Sequence, residues 1–152
     1  MQQTQTQKPY DSYFSNLCVN YLTTYQYDTA LFFAERAYYE LPTEENLQLI
    51  SECYIRQNKY SQSYLILQNA RSETNRYLLA LSCIELNKYI EAETALLPGQ
   101  YVPTSSNLPD SIIENIAGGV AGLVLLGKIA ELTHRKPCAI FYYQKCLEVS
   151  VC

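Results

Sequence analysis

A chain of 152 residues that is 48% hydrophobic and only 17% charged can build one sizeable core, which excludes a disordered chain. Its net charge of −4 and pI near 5.0 present no basic face, so neither nucleic acid nor a membrane surface is expected as a partner. One His and three Asp (Asp11, Asp28 and Asp110) leave few tunable groups for acid–base chemistry, so no enzyme and no cofactor is expected.

The N-terminus, Met1 to Pro9, is polar and lacks the apolar run of a secretory signal. Six Cys follow (Cys18, Cys53, Cys83, Cys138, Cys146 and Cys152), with no C-x-x-C pair. A reducing intracellular compartment, nucleus and/or cytoplasm, is the expectation. A first helical stripe runs through Phe14, Leu17, Cys18 and Tyr21. The segment Tyr27–Pro42 predicts a second helix. The stripe Leu47, Ile50, Ser51 and Tyr54 then precedes the segment Asn58–Ala70. Leu79, Ala80 and Cys83 precede Asn87–Leu96, with Arg76 where an apolar residue is expected. The segment 98–110 is dense in Pro, Gly, Ser and Asn and reads as an inserted loop. Asp110 or Ser111 is expected to cap a long helix, with Glu114 in its first turn. Between Asn115 and Gly127 the chain is apolar and uncharged. That stretch is too short to span a bilayer, which takes about 20 residues, and a buried helix is expected. Leu123, Leu126, Gly127 and Ala130 continue the stripe, and Pro137–Cys146 predicts the last helix.

These segments repeat. Twelve residues before each small residue of a second helix stands another small one: Cys18 before Ala30, Ser51 before Ser63, Ala80 before Ala92, and Gly127 before Ala139. Small side chains at facing positions let two antiparallel helices approach closely. A large aliphatic residue precedes each first anchor: Leu17, Ile50, Leu79 and Leu126. With Ala37 and Pro42 ending the first unit, the pattern resembles the tetratricopeptide repeat, a helix–turn–helix unit of about 34 residues. Ala34 stands where that repeat usually has Phe, with Phe33 beside it. The expected fold is all-α: a helix-pair solenoid of about four repeats in a right-handed superhelix. The repeats fall near 11–43, 44–72, 73–97 and 110–152, in one folded unit. The apolar end, Leu147 to Cys152, lacks the polar face of a capping helix, so the chain is expected to be the N-terminal part of a longer solenoid.

In tetratricopeptide proteins the fifth, ninth and twelfth positions of each first helix face a concave groove. By that register Ser15, Val19 and Leu22, then Gln48, Glu52 and Ile55, then Tyr77, Leu81 and Ile84, then Val124, Lys128 and Glu131 line it. The apolar members (Val19, Leu22, Ile55, Tyr77, Leu81, Ile84 and Val124) are the candidate interface, because an exposed apolar groove implies a partner. Tyr10 and Tyr13 join them, since nothing earlier in the chain can cover them. Of the pairs Tyr38–Tyr39 and Tyr142–Tyr143, one ring of each is expected to face inward. His134 and Cys138 fit an interhelix turn better than a thiol active site. With Cys146 they lack the spacing of a zinc site.

A closer resemblance rests on an ordered set of residues. It comprises Leu31 to Tyr38, Glu44-Glu45, Cys53-Tyr54, Arg56 to Lys59, Ser63 to Leu67, Arg76 to Ala80, Leu86 to Lys88, Glu91 to Glu93 and Leu96-Leu97. After the loop it continues with Leu125 to Ile129, Arg135 and Tyr143 to Leu147. The set is similar to the N-terminal domain of the third-subunit family of the anaphase-promoting complex. That resemblance implies a non-catalytic scaffold in a multisubunit ubiquitin ligase of the cell cycle. Its partners would be a second copy of itself, bound through the first helices and the groove, and other subunits. The alternative is a monomeric adaptor that takes a peptide or helix in the groove.

Overall fold

Residues 8–99 and 108–151 are described by the structure, a computed structural model; the expected positions Met1 to Gln7 and most of the inserted loop lie outside them. The described residues form helices α1 (Lys8–Thr23), α2 (Tyr27–Glu40), α3 (Glu44–Arg56), α4 (Tyr60–Ile66), α5 (Glu73–Glu85), α6 (Tyr89–Leu96), α7 (Asp110–Ile113), α8 (Val120–Leu132) and α9 (Lys136–Val151). No strand occurs among them. Two compact units divide within α5, after Asn75.

One turn recurs four times and explains the twelve-residue spacing. Tyr25, Asn58, Asn87 and His134 follow α1, α3, α5 and α8 with φ of 62°, 58°, 60° and 60°. Each left-handed residue reverses the chain while two backbone bonds close over the helix end. The N–H groups of Tyr25, Asn58, Asn87 and His134 donate to the carbonyls of Leu22, Ile55, Ile84 and Glu131 at 3.2, 3.0, 3.0 and 3.0 Å. Those of Gln26, Lys59, Lys88 and Arg135 reach back to Tyr21, Tyr54, Cys83 and Ala130 at 2.9, 2.8, 2.8 and 2.8 Å. This is the Schellman arrangement, which satisfies carbonyls that a helix end leaves open. In all four turns the left-handed residue lies seven positions after one small anchor and five before the other. Two of the four are Asn, which tolerates this conformation best after Gly; His134 tolerates it less well and Tyr25 least.

The facing anchors are buried in every pair. The Ser51 and Ser63 hydroxyls share a hydrogen bond of 2.7 Å. A Cβ at Gly127 would lie 2.5 Å from the ring of Tyr143, so only glycine fits that crossing.

In the first unit the core holds Cys18, Ala30, Ala34, Ile50 and Cys53. Ala34 makes room there, and Phe33 stacks on Tyr21 and Phe14 with ring centroids 5.5 and 6.2 Å away. Successive helix pairs are tied by buried Asn. Thr43 caps α3 by accepting from the Asn46 N–H at 3.3 Å. The Asn46 side chain donates to the Leu41 and Ala37 carbonyls at 2.8 and 3.2 Å and accepts from the Ser15 hydroxyl at 2.9 Å. Ser72 and Asn75 repeat this at the start of α5, with the Asn75 N–H 3.2 Å from the Ser72 hydroxyl. The Asn75 amide donates to the Glu44 carbonyl at 2.9 Å and to its carboxylate at 2.7 Å. That carboxylate also accepts from the Arg71 and Ser72 N–H groups at 3.0 and 3.3 Å. The Asn75 amide first, then the two backbone N–H groups, hold the Glu44 carboxyl below its usual range.

The second unit corrects one expectation. Asp110 does not start a long helix. It opens the four-residue α7, and Pro109 at the cap position makes no side-chain bond. Gly118 and Gly119 then take φ of 82° and 57°, which breaks the helix before α8. The break lets the Ala117 N–H donate to the Leu96 carbonyl at 2.9 Å. It also leaves room for the Tyr77 ring, 2.6 Å from where a Gly118 Cβ would sit. Leu108 at the end of the insertion is buried, as are Ile113, Ile116 and Ala117 after it. The apolar stretch does enter a buried helix, as α8 buries Leu123, Leu125, Leu126, Ile129 and Ala130. Buried Glu93 on α6 pairs with Arg135 in the last turn.

Two outcomes follow. Relief of left-handed strain makes His134→Asn and Tyr25→Asn each stabilising by about 1 kcal/mol, read as a rise of roughly 2–4 °C in the melting temperature. The Glu44 carboxyl has a lowered folded-state pKa, so its contribution is present above the unfolded value of 4.5 and is lost as pH falls through the folded value. Glu44→Gln therefore lowers the melting temperature at neutral pH and flattens its fall in acid, as thermal melts across that range will show.

Candidate partner-binding surface

The candidate residues fall on first helices of both units, and each unit presents its own set. On α1, Tyr13 is 56% exposed and Val19 46% exposed. Tyr13 packs edge-on against Phe14, with ring centroids 5.4 Å apart. Leu22 is half-buried and rests on the first core; Ser15 is half-buried and held by Asn46. Tyr10 lies on the backbone of α1, and its side chain is outside the described residues. On α3, Ile55 is half-buried, and the Gln48 amide donates to the Glu52 carboxylate at 2.7 Å. The first unit thus offers Tyr13 and Val19 as its open apolar groups, with the edges of Leu22 and Ile55.

In the second unit Val124 on α8 is 45% exposed, and Lys128 and Glu131 beside it are solvated. Leu81 is half-buried. Tyr77 is half-buried and its ring already packs on Gly118. Ile84, expected on the groove, is only 6% exposed and belongs to the core. The reason is that α5 buries Leu78, Ala80, Ser82, Cys83 and Ile84, which do not share one face. A helix covered on more than one side has no free stripe where a three-position register expects one.

The tyrosine pairs divide unequally. Tyr142 is buried and Tyr143 half-buried against Gly127. Tyr38 and Tyr39 are both exposed, contrary to the expectation that one faces inward. The residues one turn apart that α2 buries are Ala30, Ala34 and Ala37, which leaves the two rings beyond that face. Phe32 on the same helix is exposed as well.

Two features escaped the sequence reading. One is the Asn46 and Asn75 pair with Glu44, for which a signal existed: Thr43-x-x-Asn46 and Ser72-x-x-Asn75 stand at the same distance before Ser51 and Ala80. The other is the set of exposed apolar groups on second helices, Phe32, Leu65, Ile90 and Ile140. An exposed apolar residue on an amphipathic helix looks like a core residue until its face is known.

His134 occupies the turn before α9, and Cys138 is half-buried on the first turn of that helix. Among the described residues no group of three or more His, Cys, Asp or Glu could hold a metal ion. No described helix is long and apolar enough to cross a membrane. What the surface can do chemically is bury apolar side chains against another protein.

Comparison with known proteins agrees with this architecture. Residues 23–98 match the family described as anaphase-promoting complex, cyclosome, subunit 3. The cell division cycle protein 27 homolog A of Arabidopsis thaliana is 34% identical over 126 residues, 83% of this chain and 16% of that protein. The cell division cycle protein 27 homolog of Homo sapiens is 34% identical over 132 residues, 85% of this chain and again 16% of the relative. The chain therefore spans about one sixth of the length of these relatives. The crystal structure of the APC/C hetero-tetramer Cut9–Hcn1 shares the fold. Its TM-score is 0.74 at 19% identity, covering 90% of this chain and 26% of that one. With its repeated helix pairs and this match, the chain belongs to the anaphase-promoting complex subunit 3 family and has the tetratricopeptide fold.

Proposed function

We propose that this region is a non-catalytic scaffold module of a multisubunit ubiquitin ligase, and that it joins two copies of its own chain through its first helices. The observation that carries the reading is the pair of open apolar side chains on α1, Tyr13 and Val19. A ring and a branched aliphatic group left in water on the outermost helix of a unit are stabilised when a partner covers them. Val124 supplies a further apolar contact from the second unit. Tyr10 adds a ring to the same helix, by its place in the sequence. Leu22 and Ile55 add half-buried edges in the first unit, and Leu81 and Tyr77 do so in the second. Second-helix groups such as Phe32 and Tyr39 offer the outer contacts through which other subunits bind. A module of this kind acts by position: it holds its partners in register and passes no proton or group itself.

Light scattering on the 152-residue chain at micromolar concentration will give twice its mass of 17.4 kDa. A value equal to one chain sinks the dimer and favours the monomeric adaptor. Val19→Glu places a charge in the contact and weakens the dimer at least tenfold, about 1.4 kcal/mol or more, with the helical signal unchanged. Leu81→Glu weakens it too; a dimer indifferent to both changes would refute this choice of surface.

A further inference from the structure

We propose that Cys18 and Cys53 form an oxidisable dithiol: hydrogen peroxide converts them to an intrachain disulfide that staples α1 to α3. The sulfur atoms lie 3.9 Å apart inside the first core, on two helices separated by 35 residues of chain. Both thiols are fully buried and free. Their neighbours Ala30 and Ala34 are small, so the two sulfurs face each other without a bulky side chain to hold them apart. A disulfide needs the sulfurs about 2 Å closer than they stand, so its formation requires the side chains to turn and α1 to shift toward α3.

The two thiols are not equivalent. The two sulfurs share a hydrogen bond in which either can donate; it holds the Cys18 thiol below its ordinary value, and the same bond, with burial, pushes that of Cys53 up. In the proposed step Cys18 attacks first. Its thiolate attacks one peroxide oxygen, the O–O bond breaks, and one water leaves with the sulfenic acid formed. The Cys53 sulfur, giving up its proton, then attacks the Cys18 sulfur. The S–O bond breaks and the second water leaves. Two thiols are oxidised, one peroxide is reduced to two waters, and one S–S bond is made. Access comes from local opening of α1, the end helix of its unit, because solvent touches neither sulfur in the closed fold.

The bond closes the chain between residues 18 and 53 and joins the helix that carries Tyr13 and Val19 to the one that carries Ile55. It constrains the unfolded chain, so the oxidised protein melts higher than the reduced one.

The reduced 152-residue chain is titrated with hydrogen peroxide, quenched, alkylated after unfolding and mapped by mass spectrometry. The expected product is a peptide pair linked through Cys18 and Cys53 that has lost two hydrogens. Both residues leave the alkylated pool in parallel, ahead of equally buried Cys83. The oxidised chain gains melting temperature, the gain vanishes on reduction, and Cys53→Ala shows none. A link between another pair of cysteines overturns the proposal. So does Cys18 carried to its sulfinic acid while Cys53 stays alkylatable, or an equal thermal gain in Cys53→Ala.

Discussion

A left-handed residue at the end of a helix sets most of this structure. Once Tyr25, Asn58, Asn87 and His134 turn the chain and two N–H groups close over the preceding carbonyls, the next helix must return along the first. The residue seven before the turn and the one five after it then face each other across the crossing. Both must be small, or the helices cannot touch. Cys18, Ala30, Ser51, Ser63, Ala80, Ala92, Gly127 and Ala139 all satisfy this and all are buried. The turn is thus a local conformational constraint with a packing consequence far from it, which is why one motif can be repeated along a chain with little shared sequence between.

Polar side chains supply what the turns leave open at the other end of each pair. The Asn46 amide reaches the end of α2, and the Asn75 amide reaches the start of α3 through Glu44. Asn46, with both its amide oxygen and its amide nitrogen bonded, is the specific one, because the alternative arrangement leaves those groups dry and unpaired. The second unit uses glycine instead. At the same place before its anchor stands Gly122, where a Cβ would lie 2.0 Å from the Ala117 carbonyl. Between α7 and α8 the chain turns through Gly118 and Gly119, and Ile113, Ile116 and Ala117 before that turn are buried.

Function follows from what this scheme leaves outside. Its fixed positions call for small and aliphatic residues, and two of the buried or bonded carboxylates serve structure. Glu93 pairs with Arg135, and Glu44 ties two helix starts. The surface retains rings and branched side chains that the core does not need, Tyr13, Val19, Phe32 and Val124 among them. The cysteines divide in the same manner: Cys83 and Cys146 are buried as small apolar groups, whereas Cys18 and Cys53 meet sulfur to sulfur.

The helix pairs and the small facing residues were legible in the sequence because each depends on spacing along one chain. The family resemblance was legible for the same reason, as an ordered set of residues. Exposure was not. Ile84 and Val124 are both branched apolar residues expected on the groove, yet one is buried and the other open, and α5 buries residues on more than one of its faces. Tyr38 and Tyr39 were read as half core and are both outside, since three alanines already occupy the buried face of α2. The break at Gly118 and Gly119 was likewise decided by a contact from a distant ring, that of Tyr77. Periodicity therefore determined the repeating unit, while the choice of which apolar groups meet water was made only by packing between elements, which no spacing along the chain encodes.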